Sequence, residues 1–387
     1  MLDIIGGIFM NQKLRKIVAH FEIEGELVGI EENCQGNINS TYLLTFRVGE
    51  DISKYLLQKI NSYVFKEPYL VMKNIELVTS HIRAKLEQYP DTNYRTLTFI
   101  RTIDGELMYT HINSDGEKEY YRVYEYIDNC ISYNTFGECT NPEEVAYNAG
   151  KCFGFFHKLL DDFPVNLLSE TIKDFHNTPK RFDDLLTAIE NGITNRAFQN
   201  PNEIVCLISK IKEYSIIWNN LGKSIPVRVT HNDTKLNNVL MSATTNEGIA
   251  VIDLDTIMPG SALFDIGDGI RSACSNSFED EIDENKIFLN LDLTKAYLKG
   301  YLEEMADFLT RAEINYISLS IKVLTYELTL RFLTDYINND VYFKVRYKEH
   351  NKDRFRNQFL LLRDVEAKAN EITRFVNRLY KQLRSKN

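Results

Sequence analysis

Residues 228–240 read RVTHNDTKLNNVL, and residues 250–256 read AVIDLDT. They place His231-x-Asp233, Asn238 five positions after that aspartate, and Asp253 twenty after it, at the end of an apolar run. Phosphoryl transfer uses this set of groups. One carboxylate accepts or orients the proton of an acceptor hydroxyl, while an amide oxygen and a second carboxylate hold Mg2+ on nucleotide phosphates. Mg2+ takes hard oxygen ligands and keeps phosphate in its shell, which suits Asn238 with Asp253. The spacing H-x-D-x4-N alone is weak. HNDTKLNN also reads as a solvated turn rich in Asn and Asp, and IDLD as a strand with edge carboxylates. The second Asp, closing an apolar strand after a short hairpin, makes the combination informative.

Ahead of this segment the chain has the texture of a small sheet with one helix. β-rich runs at Glu26–Ile30 and Ser40–Val48 flank ENCQGNIN, which reads as a hairpin turn, and a third run covers Lys54–Ile60. Pro68 opens YLVMKNIELVTSHIRAKLE, where Val71, Met72, Ile75, Val78, Ile82 and Leu86 recur at helical spacing. Further strands are expected at Thr96–Arg101 and, after the turn NSDGE, at Tyr120–Ile127. From about residue 130 the pattern turns helical. PEEVAYNAGKCFGFFHKLLDDF puts Ala149, Cys152, Phe153, Phe156, Leu159 and Leu160 on one face, and a second helix is expected over Pro201–Trp218. Short buried strands VRVT and IAVIDLD, joined by the polar loop, interrupt the helices. A long amphipathic helix from about Asp353 to Arg384 carries basic residues in its last turn. The expected fold class is α+β: a small antiparallel sheet with a helix over residues 12–128, then a large, mainly helical lobe over 129–387, with the boundary near Asp128–Thr140.

A length of 387 residues suggests two or three folding units with ample core. Lys+Arg number 45 against 55 Asp+Glu, a net charge of −10 that argues against nucleic-acid binding through bulk electrostatics. Small anionic ligands are not excluded, since a local site can hold them. With 44% hydrophobic and 26% charged residues the composition is that of a globular protein. Six cysteines without a C-x-x-C pair read as the reduced thiols of a cytosolic protein, and neither a disulfide framework nor a zinc site. The start, MLDIIGGIFM, carries Asp3 and no basic leader, so it is a poor signal peptide; translation would start at Met1 or Met10. No run approaches the ~18 apolar residues of a membrane span. The expectation is a cytoplasmic monomer or homodimer.

HNDTKLNN followed by VIDLD resembles the H-x-D-x4-N and Asp of the aminoglycoside phosphotransferase and choline kinase superfamily, which shares the protein-kinase-like fold. QGNINSTYLL, LLQKIN, RVTHNDTKLNNVL, VIDLDTIMPG, FDIGDGIR and RFLTDYINNDVYF resemble more closely their counterparts in bacterial N-acetylhexosamine 1-kinases. The likeness spans about residues 25–345. It implies a two-lobed protein-kinase-like fold, ATP as donor, Mg2+, and transfer to the anomeric hydroxyl of GlcNAc or GalNAc. On that analogy Asp233 is the catalytic base, Asn238 and Asp253 are metal ligands, His231 braces the loop, and Asp255 is a helper at the metal.

The remaining assignments are fainter. Gly36 and Asn37 would bring backbone N–H groups near the β- and γ-phosphates, although a plain hairpin turn has the same composition and no G-x-G-x-x-G is present. Lys59 suits the lysine that pairs with α/β-phosphates; a lone strand lysine is otherwise solvated. Glu76 or Glu87 would pair with it, or both are surface. By analogy of fold, the backbone of Glu125 and Ile127 would receive adenine. In FDIGDGIR, the residues Asp265, Asp268 and Arg271 either brace the loop or touch the acceptor, with bracing favoured. Glu327, Arg331 and Asp335 share a helix face, which is either salt-bridged or places Arg331 and Asp335 on sugar hydroxyls or an acetamido group. DFHNTPKRF offers His176 and Arg181 as another acceptor wall, although His176 alone also reads as a structural histidine. The acidic FEDEIDEN is a lure for a cationic acceptor or, preferably, a solvated helix start. The alternative acceptors are an aminoglycoside, choline, ethanolamine or homoserine; choline would further need an aromatic cage. A nucleotide-binding pseudokinase is the non-catalytic alternative, against which Asp233, Asn238 and Asp253 together argue.

Overall fold

A computed structural model of the chain describes residues 11–33 and 39–385. The N-terminal part is a six-stranded antiparallel sheet. Its order is β1 (Glu26–Asn33), β2 (Ser40–Val48), β3 (Asp51–Ile60), β6 (Lys118–Glu125), β4 (Phe99–Ile100), with β5 (Tyr109–Ile112) also paired to β6. Thr41 pairs with Gln58, Ser40 with Lys59, and Gln58 with Arg122. Because successive strand side chains face opposite ways, Leu57, Lys59, Tyr121 and Val123 share one face of the sheet and Gln58 and Arg122 the other. The first face is closed by α1 (residues 11–18), whose Leu14, Ile17 and Val18 form a core with Leu44, Phe46, Leu57 and Val123. The second receives α2 (Pro68–Leu86), opened by proline at its first turn and closed by Arg83 and Lys85 in its last, as the helix dipole favours.

The strand expected at Thr96–Arg101 pairs only over Phe99–Ile100, and β6 ends two residues before the expected Ile127. β5 escapes a sequence reading, since the four residues YTHI are too few to show alternation.

The large lobe is helical: α3 (Pro142–Leu159), α4 (Thr178–Asn191), α5 (Pro201–Tyr214), α6 (Ile216–Asn220), α7 (Ala262–Ala273), α8 (Leu291–Met305), α9 (Arg311–Ile337) and α10 (His350–Arg384). The helix expected over Pro201–Trp218 is two pieces meeting at Ser215. α9 begins with a Thr310/Glu313 capping box and lies buried against α7, α10 and α4, as a helix apolar on most faces must. Helices α3 and α8 touch backbone to backbone: a Cβ on Gly150 would lie 2.0 Å from the Tyr297 carbonyl, and one on Gly300 2.0 Å from that of Tyr147. Neither carbonyl is the end of a flexible side chain, so Gly300→Ala should force the helices apart. The expected loss is roughly 1–3 kcal/mol, seen as a lower urea midpoint at unchanged slope.

The short strands of the large lobe correct one expectation. VRVT and IAVIDLD, expected to be joined by a single polar loop, have a further strand between them. β8 (Arg228–Thr230) pairs with β11 (Met258–Gly260), and inside that pair β9 (Val239–Ser242) forms a hairpin with β10 (Gly248–Val251). β7 (Cys130–Ile131) adds to the outer side of β9. The nesting leaves two polar connectors, 231–238 and 252–257, lying side by side between the inner and outer pairs. They are stitched by the Ile252 amide donating to the Asn238 carbonyl at 2.9 Å. No helix among the described residues is long and apolar enough to cross a membrane.

Candidate active site

The first connector is held rigidly from below. Asp265, on α7 and 1% exposed, accepts the backbone N–H of His231 and of Asn232, one on each carboxylate oxygen, both at 2.7 Å. Its Oδ2 also meets His157 Nε2 at 2.8 Å. Burial pushes the Asp265 carboxyl up, but these donors hold it below the usual carboxylate range. Asn232 sits at φ +65°, a left-handed conformation that Asn tolerates, and its amide donates to the Thr256 carbonyl at 2.8 Å. The His231 ring joins both connectors: Nε2 lies 2.8 Å from the Ile252 carbonyl, and Nδ1 accepts from the Asp233 N–H at 3.2 Å. Asp268 accepts the Thr234 N–H at 3.1 Å and is itself gripped by Arg271.

Asp233 emerges from this platform only partly buried. Its Oδ1 pairs with Lys235 Nζ at 2.8 Å, and its Oδ2 lies 3.2 Å from the Asn238 amide nitrogen. Burial raises its carboxyl, yet Lys235, with His231 and Asn238 adding to it, brings it below the ordinary value. It is therefore ionised at neutral pH, ready to accept a hydrogen bond from a hydroxyl.

Asp253 sits on the second connector at φ +58°. Its carboxyl is pushed up to about 6 by burial, then by the neighbouring charges of Asp255 and Asp233. Its side chain is exposed, so solvent screens part of this crowding. Clustered carboxylates of this kind suit a cation, and Asn238 and Asp253 are the side chains that would hold one. No group of three or more His, Cys, Asp or Glu among the described residues is placed to ligate a metal. One carboxylate and one amide, completed by phosphate oxygens, is a set that Mg2+ accepts. The raised value also has a sign. A carboxyl whose folded pKa lies above its unfolded one opposes folding once pH exceeds the unfolded value. Asp253→Asn should therefore stabilise the metal-free protein at pH 7.5, by of order 1 kcal/mol after screening. That gain should shrink at pH 5, where the proton already neutralises the wild-type group; thermal melts at the two pH values check it.

Other expected residues are placed differently from the sequence reading. Gly36 and Asn37 lie outside the described residues. Lys59 points to the α1 face, away from the connectors, and its partner is neither Glu76 nor Glu87. It bonds Glu119 at 2.8 Å, which also takes Lys13 at 2.6 Å and the Tyr121 hydroxyl at 2.9 Å. Glu76 instead pairs with Arg101, and Glu87 is exposed at the end of α2. The reason is strand parity: Lys59 shares the face of Leu57. Glu125 ends β6 with its N–H on the Thr98 carbonyl at 2.9 Å, and Ile127 follows beyond the strand, packed on the main core.

Asp255 is no free helper at a metal, since one oxygen pairs with Arg122 and the other accepts from Asn39 at 2.7 Å. Arg271 spans Asp268 and Glu279 at 2.8 and 2.9 Å, which is bracing. His176 bonds Glu327 at 2.9 Å, and Thr178 bonds the same carboxylate. Asp335 spends both oxygens on the Tyr342 and Phe343 N–H groups, at 2.7 and 2.9 Å, with Asn351 adding 2.8 Å. It anchors a loop. Arg181 and Arg331 both line a cavity of about 350 Å³, with Tyr342 and Phe343, between α4 and α9. Sequence reasoning missed Lys235 beside Asp233, Arg122 and Asn39; the alternation of YYRVYE was the available signal for Arg122.

Residues 100–308, more than half of the chain, match the phosphotransferase enzyme family. Solved structures share the fold at low identity. The microcompartment-associated aminopropanol kinase is 15% identical, with a TM-score of 0.58 over 94% of this chain and 98% of that one. Choline kinase from Cryptosporidium parvum Iowa II is 14% identical, with a TM-score of 0.58 over 96% and 99%. Spectinomycin phosphotransferase APH(9)-Ia, in complex with ADP and spectinomycin, is 14% identical, with a TM-score of 0.57 over 93% and 98%. With the Asp233, Asn238 and Asp253 connectors set side by side in a kinase-like α+β fold, the chain belongs to the phosphotransferase enzyme family.

Proposed function

We propose that the protein is an ATP- and Mg2+-dependent kinase that phosphorylates the anomeric hydroxyl of an N-acetylhexosamine, GlcNAc or GalNAc, to the sugar 1-phosphate. The observation that carries the kinase reading is the convergence of ionised Asp233 with Asn238 and Asp253. Asp233 orients the acceptor hydroxyl and takes its proton as the oxygen attacks the γ-phosphorus and the bond to the β,γ-bridging oxygen breaks, releasing ADP; Lys235 offsets charge at the same spot. Asn238 and Asp253 hold Mg2+, which supplies charge neutralisation on the phosphates when bound. ATP lies between the lobes, with residues 12–128 on the donor side, the backbone of Glu125 and Ile127 at the adenine, and residues 129–387 supplying catalysis and acceptor binding. The thiols among the described residues are free, which suits a reducing compartment, and we place the reaction in the cytoplasm.

The choice of a neutral, acetamido-bearing acceptor rests on the cavity between α4 and α9. Arg181, Arg331 and Thr334 line it, side chains of the type that donate to sugar hydroxyls and an acetamido carbonyl. The Arg331 guanidinium lies 5.3 Å from the centre of the Phe343 ring and 5.9 Å from that of Tyr342, and such rings suit the apolar face of a sugar. The carboxylates lining the cavity are already engaged, Asp335 by backbone and Asp184 by Lys180. Two arginines without a spare carboxylate make a poor seat for choline, ethanolamine or an aminoglycoside. A panel of these acceptors with homoserine, GlcNAc and GalNAc tests the reading, with turnover and the phosphorylated position both read by NMR. Phosphorylation at C1 removes the reducing-end signals. Turnover of a cationic acceptor alone would overturn the acceptor, and nucleotide binding without turnover on any would overturn the kinase.

A further inference from the structure

Arg122 is 3% exposed, and arginine is almost never so buried unless paired. Its pairing crosses between the lobes. Nη1 donates to Asp255 Oδ1, while Nε and Nη2 both donate to Gln58 Oε1, at 3.0 and 2.7 Å. The second oxygen of Asp255 accepts from Asn39 Nδ2 at 2.7 Å, and Asn39 Oδ1 accepts from the Asn61 N–H at 2.9 Å. Asp255 belongs to the large lobe, yet both its oxygens are held by residues of the small one. It lies two positions beyond Asp253, which takes a left-handed conformation at φ +58° and caps the single 3-10 turn Leu254–Thr256. Fixing one end of so short a turn fixes the other. Whatever orients Asp255 therefore orients Asp253 toward the cleft. Lys59 is barred from this duty, because strand parity puts it with Glu119 and Lys13 on the opposite face of the sheet.

We propose that Arg122 is the positioning cation of the nucleotide cleft. Acting through Asp255, it sets Asp253 against the metal-bound phosphates and keeps the small-lobe sheet in register with the metal carboxylate. This rests on the kinase reading above, and it makes the Arg122–Asp255–Asn39 bridge a coupling between sheet and metal site.

Calorimetric titration of the full chain tests it, with Mg2+·ADP and with ADP in EDTA. Arg122→Met and Asp255→Asn should each weaken Mg2+·ADP roughly tenfold or more, as loss of a group supporting a metal ligand does. ADP without metal should change less than threefold, because the bridge acts on Asp253; a merely structural lesion would weaken both. Arg122→Met combined with Asp255→Asn should be no worse than either alone, the signature of one coupled unit. If Arg122→Met does not fold, because an unpaired Asp255 is left buried, the double variant lacks that charge and still reports the loss. Lys59→Met should stay within threefold of wild type in both titrations. The proposal is overturned if Lys59→Met loses as much as Arg122→Met, if metal-free ADP weakens in parallel, or if the double variant binds Mg2+·ADP like wild type. A wild-type chain that turns over ATP while showing one of these results keeps the kinase reading; one that binds no nucleotide overturns both.

Discussion

Asp233→Asn should fold normally, bind Mg2+·ATP, and lose about 10²–10⁴-fold in kcat, the range that a positioned general base supplies. Asparagine keeps the shape and the bond distance to Asn238 but can neither take a proton nor hold the charge that Lys235 faces at 2.8 Å. The effect should fall on kcat with little change in KM for ATP, since Asp233 touches the acceptor side of the transfer. Because its carboxyl lies below the ordinary range, this group should not limit activity anywhere between pH 5 and 8. Steady-state kinetics on the accepted acceptor decides the matter. Turnover equal to wild type would remove Asp233 from the mechanism.

The second large effect is on stability. Asp265→Ala removes the acceptor for two backbone N–H groups and for His157, all buried. Orphaning donors in a dry site, one of them a histidine paired with a carboxylate, should destabilise by about 3–5 kcal/mol. The pH dependence follows from the sign of the shift. A carboxyl depressed by folding contributes stability above its unfolded pKa, and that contribution disappears as pH falls through the folded value. The gap between wild type and Asp265→Asn should thus be full at pH 7 and narrow as pH drops below the usual carboxylate range. Denaturant midpoints at a series of pH values measure it; a gap independent of pH would show that the charge of Asp265 is not what holds the loop.

What was legible in the sequence was whatever depends on neighbours along the chain. Val71, Met72, Ile75, Val78 and Ile82 announce a buried helix face because a 3.6-residue period is a local property, and all five are buried. The order His231, Asp233, Asn238, Asp253 is legible for the same reason. Lys59 is the counter-example. Its position at a strand end was visible, but which face it takes depends on register with β2 and β6, and a shift of one residue reverses the answer. Asp335 shows a different limit. A carboxylate on a helix face looks available until the loop at Tyr342 and Phe343 folds back and spends both oxygens. Arg122, in a tyrosine-rich strand, gives no hint that its partner stands 133 positions away.

The nesting of the β9–β10 hairpin inside the β8–β11 pair loosens one sequence constraint. The relative placement of the two connectors is set by the outer pair and by the base of the inner one, while the inner turn at Ala243–Thr245 is exposed at the far end. Residues inserted at Thr244 would lengthen the interval from Asp233 to Asp253 without moving either carboxylate, at a closure cost of only about 0.6 kcal/mol per doubling of loop length. The twenty-residue interval is therefore no ruler of the site, and distant relatives can be expected to share the order of these residues while differing freely in that spacing.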